Sequence, residues 1–169
     1  MLDSKRMPVG SPTPLASHTF AVVIAPLSSG LPDLLPVRTG FSEVIFPETL
    51  IHATEAEARP EFSRLILRRA VSADQFLSTW TRRPVPRDCV IVLITGNQPA
   101  AAWHAKGAVP ERFSYSSLSA VEPAVLIETL ELRVRDFIRV ELPASQAATI
   151  DETLRHFSQR MEHAHSDKT

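Results

Sequence analysis

Between Ala124 and Val134 the chain alternates so regularly that it accepts only one backbone conformation. Leu126, Leu130, Leu132 and Val134 fall on one side of an extended segment, and Val125, Ile127, Thr129, Glu131 and Arg133 on the other. Residues two apart share a face only in a strand, so the segment predicts a β-strand with one face in a core. An isolated strand is not stable, so the rest of the chain has to supply its partners.

Several further segments qualify. His18–Ala25 places Phe20, Val22 and Ile24 on one face and is closed by Pro26. Val37–Phe46 is β-branched and aromatic, and after Pro47 the run ETLIHAT is a short strand candidate ending near Thr54. The segment EAEARP turns the chain into Phe62–Arg69, where Leu65 and Leu67 share a face against Arg64, Ile66 and Arg68. Cys89–Thr95, the turn signal GNQP, Ala100–Ala105, Phe113–Ser117 and finally Asp136–Leu142 complete a β meander.

Helical spacing occurs twice. Ser72 with Gln75 has the form of a capping box, Val71 can staple onto Phe76, and Ala73, Phe76, Leu77 and Trp80 form one stripe that covers an open side of the β structure. Pro84 and Pro86 end that helix. Thr149 with Glu152 forms a second box, followed by Ile150, Leu154, Phe157 and Met161 at i, i+4, i+7 and i+11. This second stripe packs either on its own barrel or on a neighbouring subunit.

The predicted fold is therefore mainly β: an antiparallel barrel or sandwich with one short flanking α-helix, plus a C-terminal amphipathic helix. Its parts are a flexible, Pro- and Gly-containing arm over residues 1–14, a β-barrel domain over 15–143, and a helix with a frayed tail over 144–169. At 169 residues one core is the natural solution.

Charge and apolar content narrow the function. With 18 Lys and Arg against 19 Asp and Glu, the net charge of -1 gives no field that would draw the protein to nucleic acid or anionic lipid. No run of about 18 apolar residues suggests a membrane span, and MLDSKRMPVGSPTP lacks a signal-peptide apolar region. Synthesis in a reducing cytoplasm is expected, with Cys89 a small buried hydrophobe in CVIVLI.

No catalytic, cofactor-binding or metal-binding residue is assigned, and the chain is not expected to be an enzyme. A nucleophile elbow, a phosphate loop and a dinucleotide fingerprint are all missing, and five glycines leave few places for such turns. His104, beside Trp103, reads as a surface or packing residue. His156, His163 and His165 lack an acid or cysteine to complete a ligand set and read as a solvated helix end. The arginines of LILRRAV and TRRPVPRD fit a solvated face, an inter-subunit salt bridge or a lumen lining.

The order of segments resembles the contractile-tail tube protein family, which includes phage tail tube proteins and the inner-tube proteins of extracellular contractile injection systems. The resemblance runs through FSEV at Phe41–Val44, LILRRAVSADQFLSTW at Leu65–Trp80, the Trp103 segment, and FSYSSLSAVEPAVLIETLEL at Phe113–Leu132. It implies a structural barrel subunit that forms hexameric rings stacked into a tube. The implied partners are further copies of itself and sheath, baseplate or neighbouring tube proteins, and it would be incorporated into a phage tail or injection particle. Two features depart from the family pattern: only EAEARP stands where a long glycine-containing extension is usual, and a helix is appended at Thr149–His163. They leave open a specialised tube-initiating, tube-terminating or baseplate adaptor subunit. A small ligand- or peptide-binding β-barrel, with a sizeable apolar cavity, is the alternative outside that machine.

Overall fold

The computed structural model describes residues 19–30, 37–38, 40–50, 60–95, 98–122, 124–148 and 152. Ten strands and one α-helix follow in the order β1 (Thr19–Pro26), β2 (Val37–Arg38), β3 (Phe41–Ile45), β4 (Thr49–Leu50), β5 (Glu61–Phe62), β6 (Leu65–Ala70), α1 (Phe76–Arg82), β7 (Arg87–Thr95), β8 (Gln98–Tyr115), β9 (Ile127–Arg133) and β10 (Asp136–Val140). The main sheet runs β2-β1-β7-β8-β9-β6-β3, with β10 also on β8, and β4 pairs with β5 separately. The pairings are antiparallel. β2 and β3 sit at opposite ends of this path, yet Arg38 and Phe41 are three residues apart, a span of about 10 Å. The sheet must therefore curl round until its ends meet, which makes it a nearly closed barrel, as the mainly β reading expects.

The interior follows from strand parity. Val22 and Ile24 of β1, Leu65 and Leu67 of β6, Cys89 and Ile91 of β7, and Leu130 and Leu132 of β9 fill one core. Leu77 and Trp80 of α1 join it, so the helix stripe does close one side of the barrel. A second apolar cluster, made of Ala21, Val23, Val90, Val92, Ile94 and Ala102, lies on the opposite face of β1, β7 and β8.

Several boundaries differ from the sequence reading. Val37–Phe46 is not one strand: the chain breaks at Gly40, whose φ of 88° is left-handed, and its two halves pair with β1 and β6. Phe62–Arg69 divides into β5 and β6, and the Ala124–Val134 strand begins only at Ile127. Ala100–Ala105 and Phe113–Ser117 belong to one 18-residue strand, β8. Register shifts between Arg87 and Cys89 of β7, near Gly107 (φ 59°), and between Pro110 and Arg112 each displace the alternation, so Ala105 and Ala108 both face the core. Opposite this ribbon, β9 and β10 run one after the other along β8, bridged by Arg135 N donating to the Lys106 carbonyl at 2.9 Å.

The expected capping box does not form. α1 starts at Phe76, Gln75 makes no side-chain cap, and Val71 is exposed. Ser72 instead accepts from Asp74 N, and Asp74 Oδ1 accepts from Phe76 N at 2.9 Å. At the other end the chain is helical over residues 144–148, earlier than Thr149, with the Pro143 carbonyl accepting from Gln146 N and Ala147 N. The N-terminal arm, the EAEARP turn as far as residue 59, and Ile150, Leu154, Phe157 and Met161 lie outside the described residues.

Candidate functional site

Two buried polar centres hold the barrel in shape. The first joins β6, β9 and the approach to α1. Parity places Arg69 beside Leu65 and Leu67 on the inner face of β6, and Glu128 beside Leu130 and Leu132 on that of β9, where the two residues are register partners. Their side chains, 4% and 6% exposed, form a direct ion pair through Arg69 Nε. The same guanidinium donates from Nη1 to Asp74 Oδ2 at 3.1 Å and from Nη2 to the Asp74 carbonyl at 2.9 Å. Arg69 thus holds residues 72–75 out of the helix they were expected to begin.

The second centre is Asp88, fully buried on β7. Its Oδ2 accepts from Ser28 N and its Oδ1 from Gly107 N, both at 3.0 Å, so one carboxylate ties the end of β1 to the bend in β8. His104, 1% exposed, places Nε2 3.4 Å from Asp88 Oδ2 without hydrogen-bond alignment. Burial lowers the His104 pKa, and the Asp88 charge opposes that shift. His104 is therefore a buried packing residue and not a surface one.

These groups do not form a catalytic arrangement. Cys89 faces the barrel core, whereas Asp88 and the His104 partner Val90 face the other way. Burial, reinforced by the Asp88 charge, pushes the Cys89 thiol up to about 12, so it is not a nucleophile. Among the described residues no group of three or more His, Cys, Asp or Glu is placed to hold a metal ion. His156, His163 and His165 lie outside those residues.

Of the arginines singled out in the sequence, Arg68, Arg69 and Arg87 have partners within the chain. Arg68 pairs with Glu43 at 2.6 Å across β6 and β3, and Arg87 stacks its guanidinium 5.3 Å from the Phe76 ring, clamping α1. On the outer face, Glu111 receives Arg64 and Arg133, each at 2.9 Å. The barrel interior is filled by side chains, and an apolar groove lies beside it. This groove, of about 460 Å³, is lined by Phe20, Val44, Phe46, Ile91, Leu93 and Trp103, with Ser42 and Glu43 at its edge. At the other end of β8 the loop to β9 exposes Leu118, Val121 and Val125.

Arg69 and Glu128 were legible in principle. Each occupies the apolar parity of its own strand, and two opposite charges on inward faces are the signal of a buried pair.

No curated protein matches the sequence significantly. The family model described as T4-like virus tail tube protein gp19 matches residues 48–138. Among solved structures, the fold is similar to a chain of the anti-feeding prophage (AFP) baseplate, with 24% identity, TM-score 0.57, and 77% of this chain and 97% of that one covered. It is also similar to a chain in the structure of the AFP tube-terminating cap, with 12% identity, TM-score 0.60, and 83% and 100% covered. A third similar chain comes from the structure of the PVC sheath/tube terminator of an extracellular contractile injection system in its extended state, with 16% identity, TM-score 0.57, and 77% and 99% covered.

Proposed function

This chain belongs to the T4-like virus tail tube protein gp19 family and is a structural component, not an enzyme; from that premise we propose that it forms hexameric rings in the inner tube of a contractile phage tail or phage-tail-like injection system. The observation that carries the reading is the coincidence of the family match over residues 48–138 with a barrel that keeps unpaired strand edges among the described residues. Among the described residues β10 hydrogen-bonds β8 on one side only, and no ladder joins β2 to β3 where the two ends of the sheet approach each other. Such edges are templates for pairing with another copy, and a ring uses each edge once. The expected partners are further copies of the chain and the sheath, baseplate or tube proteins that adjoin the ring. Synthesis in the bacterial cytoplasm would precede incorporation into the particle.

A specialised subunit that starts, ends or anchors the tube is the second reading. It is favoured by the short connection of residues 51–60 between β4 and β5, and by the helix entered at residue 144. We also propose the domain division 1–14, 15–143 and 144–169, with the barrel as the assembling unit.

Light scattering on the purified full chain over a concentration series tests the proposal. The 18.7 kDa protomer predicts a species of about 112 kDa for six copies in a closed ring. A monomer persisting at high concentration would contradict it and favour a ligand- or peptide-binding barrel.

A further inference from the structure

The second apolar cluster is covered more completely than its described neighbours account for. Val23, Val90 and Val92 are fully shielded, Ala21 and Ala102 are 1% exposed and Ile94 is 3% exposed. They sit on the face of β1, β7 and β8 turned away from the barrel core, alongside the buried Asp88 and His104, and the partly buried hydrophobic side chains that pack against them among the described residues are Val140 and Leu142. Two half-buried side chains at one margin cannot exclude water from three adjacent strands. α1 does not help, since it packs on the barrel core on the other side.

The chain leads to this face at a definite angle. A cleft of about 640 Å³ lies between Pro99–Ala102 of β8, Arg139–Leu142 and Ala147. In the helical residues 144–148, Gln146 and Ala147 are half-buried, while Ala144, Ser145 and Ala148 are exposed. Gln146 Oε1 is buried without a hydrogen-bond partner. At about 100° per residue, the direction shared by Gln146 and Ala147 is repeated by Ile150, Leu154, Phe157 and Met161. Glu152 falls on the opposite side, and it is helical and exposed. The dimensions agree: a helix continued from 144 to 161 would span about 27 Å, and the eight residues of β1 span about 26 Å.

We propose that the apolar stripe Ile150, Leu154, Phe157 and Met161 seats on Ala21, Val23, Val90, Val92, Ile94 and Ala102 of its own protomer, so that this sheet lies between the barrel core and the C-terminal helix. The helix then belongs to the subunit rather than to a contact with its neighbour. Contacts between copies are left to the strand edges and loops.

The test uses the full chain diluted to the monomer. Leu154→Asp combined with Phe157→Asp uncovers the face, lowering the melting temperature by about 10 °C and raising bound ANS fluorescence several-fold. Phe157→Ala alone, which keeps the fold accessible, lowers it by about 5 °C. Gln159→Asp, on the opposite helical side, shifts it by less than about 2 °C. Stripe variants that melt with the native protein would overturn the proposal, whether or not they alter the mass of the assembled species. It would equally be overturned if deleting Met1–Pro14, and not altering the stripe, exposed the face to ANS.

Discussion

Removing the Glu128 carboxylate as Glu128→Ala should destabilise the protomer far more than the loss of one surface ion pair. The pair is almost fully enclosed, with side chains 4% and 6% exposed, so Arg69 would keep its charge in a dry site. Leaving one partner of a buried pair costs about 3–5 kcal/mol. The lower end applies here, because Nη1 and Nη2 still reach Asp74, which is 45% exposed and partly hydrated. About 3 kcal/mol corresponds to roughly 6–12 °C in melting temperature for a chain of this size. Arg69→Met should cost more, since it strands Glu128 and frees residues 72–75 together with the start of α1. The double variant Arg69→Met with Glu128→Leu should recover most of the loss, because an apolar pair of similar volume needs no desolvated charge. Urea unfolding followed by Trp80 and Trp103 fluorescence measures all three, and Glu128→Leu measured alongside them closes the double-mutant cycle. A Glu128→Ala cost below about 0.5 kcal/mol, the value of an exposed pair, would refute the claim that this pair is buried and organises α1.

Three other consequences follow from the same geometry. Leu130→Asp places a charge in the centre of the barrel core and should yield unfolded or insoluble protein by far-UV circular dichroism; a soluble, folded variant would show that β9 does not face inward as described. Because the His104 pKa is lowered in the folded state, the unfolded chain binds more protons as pH falls through its ordinary value near 6.5. Stability should therefore drop from pH 7.5 toward pH 5, and the urea midpoint of His104→Gln should lose that part of the pH dependence. Gly107→Ala forces a left-handed φ of 59° on an L side chain and brings its Cβ within 3.3 Å of Arg135 Cβ, so about 1–2 kcal/mol should be lost in the same unfolding assay.

Alternation made the faces of the chain readable wherever period two runs unbroken. Phe20, Val22 and Ile24, then Leu65 and Leu67, then Leu130 and Leu132 all point into the core as the pattern requires. The reading broke down where the backbone departs from that period. Ala100–Ala105 and Phe113–Ser117 read as separate strands, but they belong to one long strand, β8, in which register shifts near Gly107 and Pro110 displace the inward position. Gly40 was passed over inside an apparently continuous strand, and it is the point where the sheet closes on itself. The capping box at Ser72 was a sound local signal overridden by a tertiary one: three contacts of Arg69 with Glu128 and Asp74 hold that segment outside the helix. His104 could not be placed from sequence because its burial depends on Asp88, sixteen positions earlier, whose carboxylate is itself held by Ser28 and Gly107. Arg69 and Glu128 were within reach, since both break the apolar run of their strand face with opposite charge.

In the proposed assembly, protomers of this fold join through their open strand edges into rings of six. Negative-stain microscopy of the purified full chain, viewed end-on, tests it most directly. Closed rings with six-fold symmetry around a central channel are expected, stacked into tubes if the chain is the repeating subunit and remaining single if it ends or anchors the tube. Fields of isolated single-barrel particles at concentrations well above micromolar, or rings of another symmetry, would contradict it.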